Sequence, residues 1–155
     1  MKLQKATLCG LYAVLELAAY PERQIAAAEI AGKYDISINH LAKVLRLLVR
    51  ARLIESVRGA GGGYRFCGNA KRVTLLDVIE LFEDIRQDME EAPPAEEAER
   101  RALHGVLAEI DDIAIRTLRS ISIATLVKLM EKARAKVVKG EAGAAVTRAV
   151  AAAGK

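Results

Sequence analysis

Apolar side chains recur at Leu8, Leu11, Tyr12, Leu15 and Ala18, a spacing that predicts a helix over about residues 5–20, stopped by Pro21. Ile25 to Tyr34 reads as a second, shorter helix with Ala27, Ile30 and Ala31 on one face, and Asp35-Ile36-Ser37 as a turn. Ser37 is placed to cap a third helix, its hydroxyl accepting from a free N–H of the first turn. That helix runs to about Ala51, with Ile38, Leu41, Leu45 and Leu48 inward. The period then changes from helical to alternating. Leu53–Val57 and Tyr64–Cys67 are short β-compatible runs joined by Arg58-Gly59-Ala60-Gly61-Gly62-Gly63, a hairpin with a glycine-rich tip. Thr74 is expected to cap a fourth helix carrying Leu75, Val78, Ile79 and Phe82 on one face. Residues 85–99 form an acidic stretch containing Pro93-Pro94 and read as a loop. From about Arg100 a long helix shows a stripe of Leu103, Val106, Leu107, Ile110, Ile113, Ala114, Thr117 and Ile121. Ser122 is expected to cap a last helix, and residues 138–155 read as a disordered tail.

Composition narrows the class. Hydrophobic residues make up 52% of the chain but aromatics only 4%, so the core is aliphatic. Helix formers dominate, and the expected fold is mainly α with a small β-hairpin. No stretch reaches the roughly 18 uncharged apolar residues of a membrane span, and the start does not read as a signal peptide. A cytoplasmic protein without membrane contact is the expectation. Charge is segregated along the chain. Residues 1–73 hold 12 Lys/Arg against 5 Asp/Glu, residues 74–112 hold 3 against 13, and residues 113–155 hold 9 against 2. A basic head suits a polyanion, and the acidic middle does not.

Three short helices followed by a hairpin is the order of a winged helix-turn-helix. Asn39, Lys43, Arg46 and Arg50 follow one another at intervals of three or four, on the side opposite Leu41, Leu45 and Leu48. Asparagine reads adenine through two bonds, and lysine or arginine reads guanine or holds phosphate. Alone, such a face is more often an ordinary solvated one. The hairpin tip adds Arg58 at the base of a loop whose glycines let backbone approach a phosphate closely. The GxGG run lacks a following Lys-Ser/Thr and opens no helix, so it fails the nucleotide-loop templates. With two histidines and no plausible nucleophile–base pair, an enzyme is not expected.

Several runs resemble one family closely. Met1-Lys2-Leu3, Leu15-Glu16-Leu17-Ala18, Ile30-Ala31 with Asp35-Ile36-Ser37-Ile38, and above all Leu53–Tyr64 are similar to the Rrf-two family of bacterial winged-helix regulators, the family of IscR, NsrR and CymR. Thr74–Ile79 and Ile123-Ala124-Thr125-Leu126 match as well, so the resemblance spans about residues 1–135. It implies a winged helix-turn-helix over 1–84, dimerisation helices over 100–137, and a homodimer on a palindromic operator in double-stranded DNA, as a repressor. The DNA-binding candidates are Ser37, Asn39, His40, Lys43, Arg46, Arg50, Arg58, Gly59, Gly61, Gly62 and Tyr64. By the resemblance Arg58 enters the minor groove, and Asn39 and Lys43 face bases.

The match fails at one place. Many members hold an iron–sulphur cluster through three cysteines in the loop before the long helix, and here residues 85–101 contain none. His104 falls where some members place a histidine ligand, and Leu8 where a few place an acidic one. No cofactor is therefore expected. The two cysteines, Cys9 and Cys67, are candidate sensor thiols, with an atypical metal or cluster site built from both as the alternative. Cys67 neighbours Arg65, Lys71 and Arg72, whose charge is expected to favour the thiolate. A protein-binding module with a solvated wing is the competing function. Steep salt dependence of binding separates the DNA reading from it.

Overall fold

Cys9, Ala13, Val14 and Leu17 form the inner face of the first helix, α1 (Lys5–Ala19), each at most 3% exposed. The computed structural model describes residues 2–85 and 97–137. Around α1 the chain lays down α2 (Ala27–Lys33), α3 (Ile38–Arg50), the strands β1 (Ile54–Val57) and β2 (Gly63–Phe66), α4 (Leu75–Ile79), α5 (Ala98–Ser120) and a last helix, α6, over 123–137. No described helix is long and apolar enough to cross a membrane.

The core is aliphatic. Leu17, Ile30, Leu41, Leu45, Leu48, Ile79 and Ile123 are fully buried. Each such side chain stabilises by about 1.5–3 kcal/mol relative to an exposed one. Val44 joins Leu41, Leu45 and Leu48 on the inner face of α3, whereas Ile38, expected inward, is 47% exposed. It occupies the first helical position, beyond the edge of the core. Ser37 closes the first turn through its carbonyl, which accepts from Leu41 N–H at 2.9 Å, and its hydroxyl makes no capping bond. Ile25 is not helical. It pairs with Tyr64, so α2 starts two residues later than the spacing predicts.

β1 and β2 pair antiparallel, with Ile54 opposite Phe66 and Val57 opposite Gly63. Thr74 caps α4 as expected and does so reciprocally. Its hydroxyl accepts from Asp77 N–H at 3.2 Å, and the Asp77 carboxylate accepts from Thr74 N–H at 2.8 Å. The buried residues of α4 are Leu76, Val78 and Ile79, and Phe82 lies past the helix end. Ser122 caps α6, its hydroxyl accepting from Thr125 N–H at 3.2 Å.

The long helix divides its faces differently from the single stripe in the sequence. Ile115 and Leu118 are its buried residues. Leu103, Val106, Leu107, Ile110 and Ile113 are each more than half exposed. Ala114 is half-buried, and the exposed Thr117 returns its hydroxyl to the Ile113 carbonyl at 2.8 Å. Ile121 is not in the helix but follows it as the C-cap, its carbonyl accepting from Leu75 N–H at 2.9 Å. Most of the acidic loop and the whole tail expected at 138–155 lie outside the described residues.

Candidate nucleic-acid interface

α3 is amphipathic because its apolar positions fall at 41, 44, 45 and 48, leaving the opposite side to Asn39, Lys43, Arg46 and Arg50. All four of those residues are exposed. Among the described residues, none of Lys43, Arg46, Arg50 or Arg58 forms a salt bridge, while Arg23, Lys33, Arg65 and Arg134 each do. Among the described residues, the outer face of α3 and Arg58 of the wing therefore keep their positive charge uncompensated, whereas Arg65 of the wing does not. His40 does not belong with this outer row. It is half-buried, and its Nε2 is sheltered from solvent without a hydrogen-bond partner. Exposed Ile38 and Leu47 flank the row instead. The helical period alone missed Ile38, because a first-turn residue on the core side still projects past the core.

The hairpin starts directly after α3. Arg52 takes a left-handed conformation with φ 57°, and Leu53 N–H donates to the Leu48 carbonyl at 3.1 Å, turning the chain into β1. Arg58, at the end of β1, is exposed. Gly59 and Gly61 have φ of 115° and 75°, which L side chains rarely adopt, and Gly62 N–H donates to the Gly59 carbonyl at 2.9 Å. Behind the tip, Arg65 donates to Glu55 across the strands at 2.9 Å.

The sequence reading passed over one wing residue. Gly63 lies so close to the chain before α2 that an added Cβ would sit 2.5 Å from the Ile25 carbonyl oxygen. The approach exists because half-buried Tyr64 and Ile25 bond to each other's backbone on that side. Three consecutive glycines, one more than the turn needs, were the available signal.

Neither thiol has the setting expected of a sensor. Cys9 is buried, and burial pushes its thiol up against the opposing pull of Lys5. Cys67 is exposed as a residue, but its sulfur donates to the Arg52 carbonyl at 3.4 Å. Desolvation there, and secondly the Glu55 carboxylate, raise its pKa despite its own backbone N–H and Arg65. Of the three cationic neighbours read from the sequence, Arg65 is already paired with Glu55, and Lys71 and Arg72 do not figure among the causes of the shift, so the expectation of a favoured thiolate is overturned.

The family model described as Rrf2, iron-dependent transcriptional regulator, matches residues 3–129. BadM of Rhodopseudomonas palustris, whose name places it among HTH-type transcriptional regulators, is 65% identical over 144 residues, covering 93% of this chain and 92% of that one. Among solved structures, CymR of B. subtilis, the global cysteine regulator, superposes with a TM-score of 0.71 at 26% identity, over 83% of this chain and 98% of that one. IscR of T. potens has the same fold, with a TM-score of 0.71 at 24% identity over 86% and 90% of the two chains.

The iron in the family's description does not fit the residues present here. The chain has two cysteines, and residues 85–101 contribute none. Among the described residues of one protomer no three His, Cys, Asp or Glu side chains come together as a metal site, so Cys9, Cys67 and half-buried His104 do not assemble one within it. Leu8 has no donor atom to offer.

Proposed function

The chain belongs to the Rrf2 family of DNA-binding transcriptional regulators, and we propose that it works as a cytoplasmic homodimeric repressor on a palindromic operator. One observation carries the DNA surface: Lys43, Arg46, Arg50 and Arg58 are exposed and unpaired among the described residues, on the helix and wing of a winged helix-turn-helix. In this reading α3 lies in the major groove. Asn39 and Lys43 contact base edges, Arg46 and Arg50 hold phosphates, and the wing places Arg58 in the adjacent minor groove. Exposed Ser37 stands at the N-terminal end of α3, where a backbone phosphate would pass. Gly59, Gly61 and Gly62 let the wing backbone approach the duplex, and Tyr64 holds the hairpin to the body. Ile38, beside Asn39, is suited to a thymine methyl.

The exposed face of α5 supports the dimer reading. Leu103, Val106, Leu107, Ile110 and Ile113 are each at least 52% exposed, an apolar stripe that one protomer leaves in water. Pairing it with its twofold mate buries it and sets two recognition helices against two half-sites. Selection of bound fragments from random duplex DNA tests the reading. A twofold-symmetric consensus bound by two protomers supports it. No enrichment, or affinity indifferent to salt, would favour the protein-binding module instead.

A further inference from the structure

The carboxylate of Glu16, on α1, sits inside the protein, its side chain 6% exposed, and gathers groups from the end of α2 and from α6. Lys33 at the end of α2 donates to both oxygens at 2.6 Å, and the Tyr34 hydroxyl donates at 2.7 Å. Arg134, on α6 and 118 residues away in sequence, donates at 3.0 Å. The same guanidinium reaches the Tyr20 hydroxyl at 3.3 Å. Lys33 and Tyr34 lie immediately before the turn that launches α3, where Asp35 holds a left-handed φ of 50°. Tyr34 is further fixed by stacking on Tyr12, with ring centroids 4.8 Å apart. Glu16 therefore joins the helix-turn-helix bend to the far part of the last described helix.

The near end of α6 is held separately. Ile123 N–H donates to the Val73 carbonyl and Ala124 N–H to the Ala70 carbonyl, both at 2.8 Å, while Ile123 is fully buried. Eleven residues of helix, about 16 Å, separate Ile123 from Arg134. Leu126 and Val127 also pack on the core, so Arg134 extends the hold by about two further turns and stiffens the direction of α6. α5 docks through Ile115 and Leu118, and because α6 follows it after a short turn, the distal hold adds to the restraint on the helix that carries the proposed dimer face.

We propose that Arg134 is a positioning residue. By clasping Glu16 it fixes the angle between the dimerisation helices and α3, and so sets the half-site spacing the dimer accepts. The inference rests on the dimer reading above. Half-sites one helical turn apart lie about 34–36 Å from each other. One base pair changes that by about 3.4 Å and turns one half-site by roughly 34–36° about the duplex axis, so a combined swing and twist at an unclasped end is what admits a neighbouring spacing.

The test uses the operator selected by the wild-type protein, versions with one or two base pairs inserted or deleted at the centre, and a single half-site. For wild type, a one-base-pair change should weaken binding about tenfold or more. Arg134→Ala should reduce that penalty by at least about threefold, with single half-site affinity within about twofold of wild type, and Glu16→Gln should reduce the penalty likewise. Arg134→Lys keeps one donor for Glu16 and should restore part of the discrimination, which a general loss of folding would not produce. Glu16 retains Lys33 and Tyr34 in Arg134→Ala, and Glu16→Gln carries the same expectation should that variant melt early. A wild-type spacing profile in a dimeric Arg134→Ala overturns the inference alone. A wild-type protein that sediments as a monomer, or binds one half-site as tightly as two, overturns the dimer reading and the inference with it.

Discussion

Ile25 and Tyr64 exchange backbone hydrogen bonds, Ile25 N–H to the Tyr64 carbonyl at 3.0 Å and Tyr64 N–H to the Ile25 carbonyl at 2.9 Å. This bridge fastens the wing to the segment that leads into α2, and it leaves no room for a side chain at the preceding position, Gly63. Gly63→Ala should therefore cost about 1–3 kcal/mol of stability by forcing backbone apart, read as a lower urea midpoint. Gly32, inside α2, has nothing within 4 Å of an added Cβ. Gly32→Ala should stabilise by about 0.4–1 kcal/mol through the unfolded chain. Equal effects at the two positions would contradict the close approach.

The exposed stripe on α5 makes a separate expectation. Ile110 and Ile113 are more than half exposed in one protomer, so replacing both with aspartate should leave the protomer folded and release it as a monomer in sedimentation. Leu118, only 8% exposed, faces the protomer's own core, and Leu118→Asp should unfold it. An unchanged sedimentation coefficient for the Ile110→Asp, Ile113→Asp double variant would remove α5 as the dimer face.

Much of this was legible from the chain because local chemistry and burial agree. Leu41, Leu45 and Leu48 repeat at helical spacing, Thr74 stands before an apolar run, and the Arg-Gly run can only turn. What escaped was set by tertiary placement. Ile25 looks helical by period but is claimed by Tyr64 across 39 residues. Ile38 looks inward but overhangs the core. Ile115 and Leu118, outside the stripe read from the sequence, are what dock α5. The electrostatics of Cys67 could not be read at all, since proximity in sequence to Arg65 says nothing of the Glu55 that neutralises it across the strands.

That correction carries a consequence for reactivity. With both thiols pushed above the ordinary cysteine value, each is almost wholly protonated at neutral pH. Iodoacetamide at pH 7.5 should modify Cys67 more slowly in the native protein than in the urea-unfolded chain, and Cys9 more slowly still, as followed by mass spectrometry. Cys9→Ser and Cys67→Ser should bind the selected operator like wild type before and after mild peroxide. Faster native than unfolded labelling of Cys67 would restore the sensor reading.

Glu16 gives a pH expectation. Burial pushes its carboxyl up, but the bonds from Lys33, Tyr34 and Arg134 and the Lys33 charge outweigh that, and the folded pKa lies below the ordinary value. A depressed acid contributes stability above its unfolded pKa and loses it as pH falls through the folded one. Wild type should therefore lose more stability than Glu16→Gln on going from pH 7 into the acid range below pH 4.5, measured by urea unfolding at each pH. Parallel pH profiles would show that the clasp contributes nothing.

The central claim is that α3 and the wing form a DNA-reading surface, and the most direct measurement is affinity for the selected operator as a function of salt, for wild type and Arg58→Ala. Wild-type affinity should fall linearly on logarithmic axes with a steep slope, several released counterions per dimer. Arg58→Ala should bind about 1–3 kcal/mol more weakly at fixed salt, with most of the loss on the specific operator rather than on unrelated DNA. An Arg58→Ala protein that binds as tightly as wild type, on a curve indifferent to salt, would contradict the account.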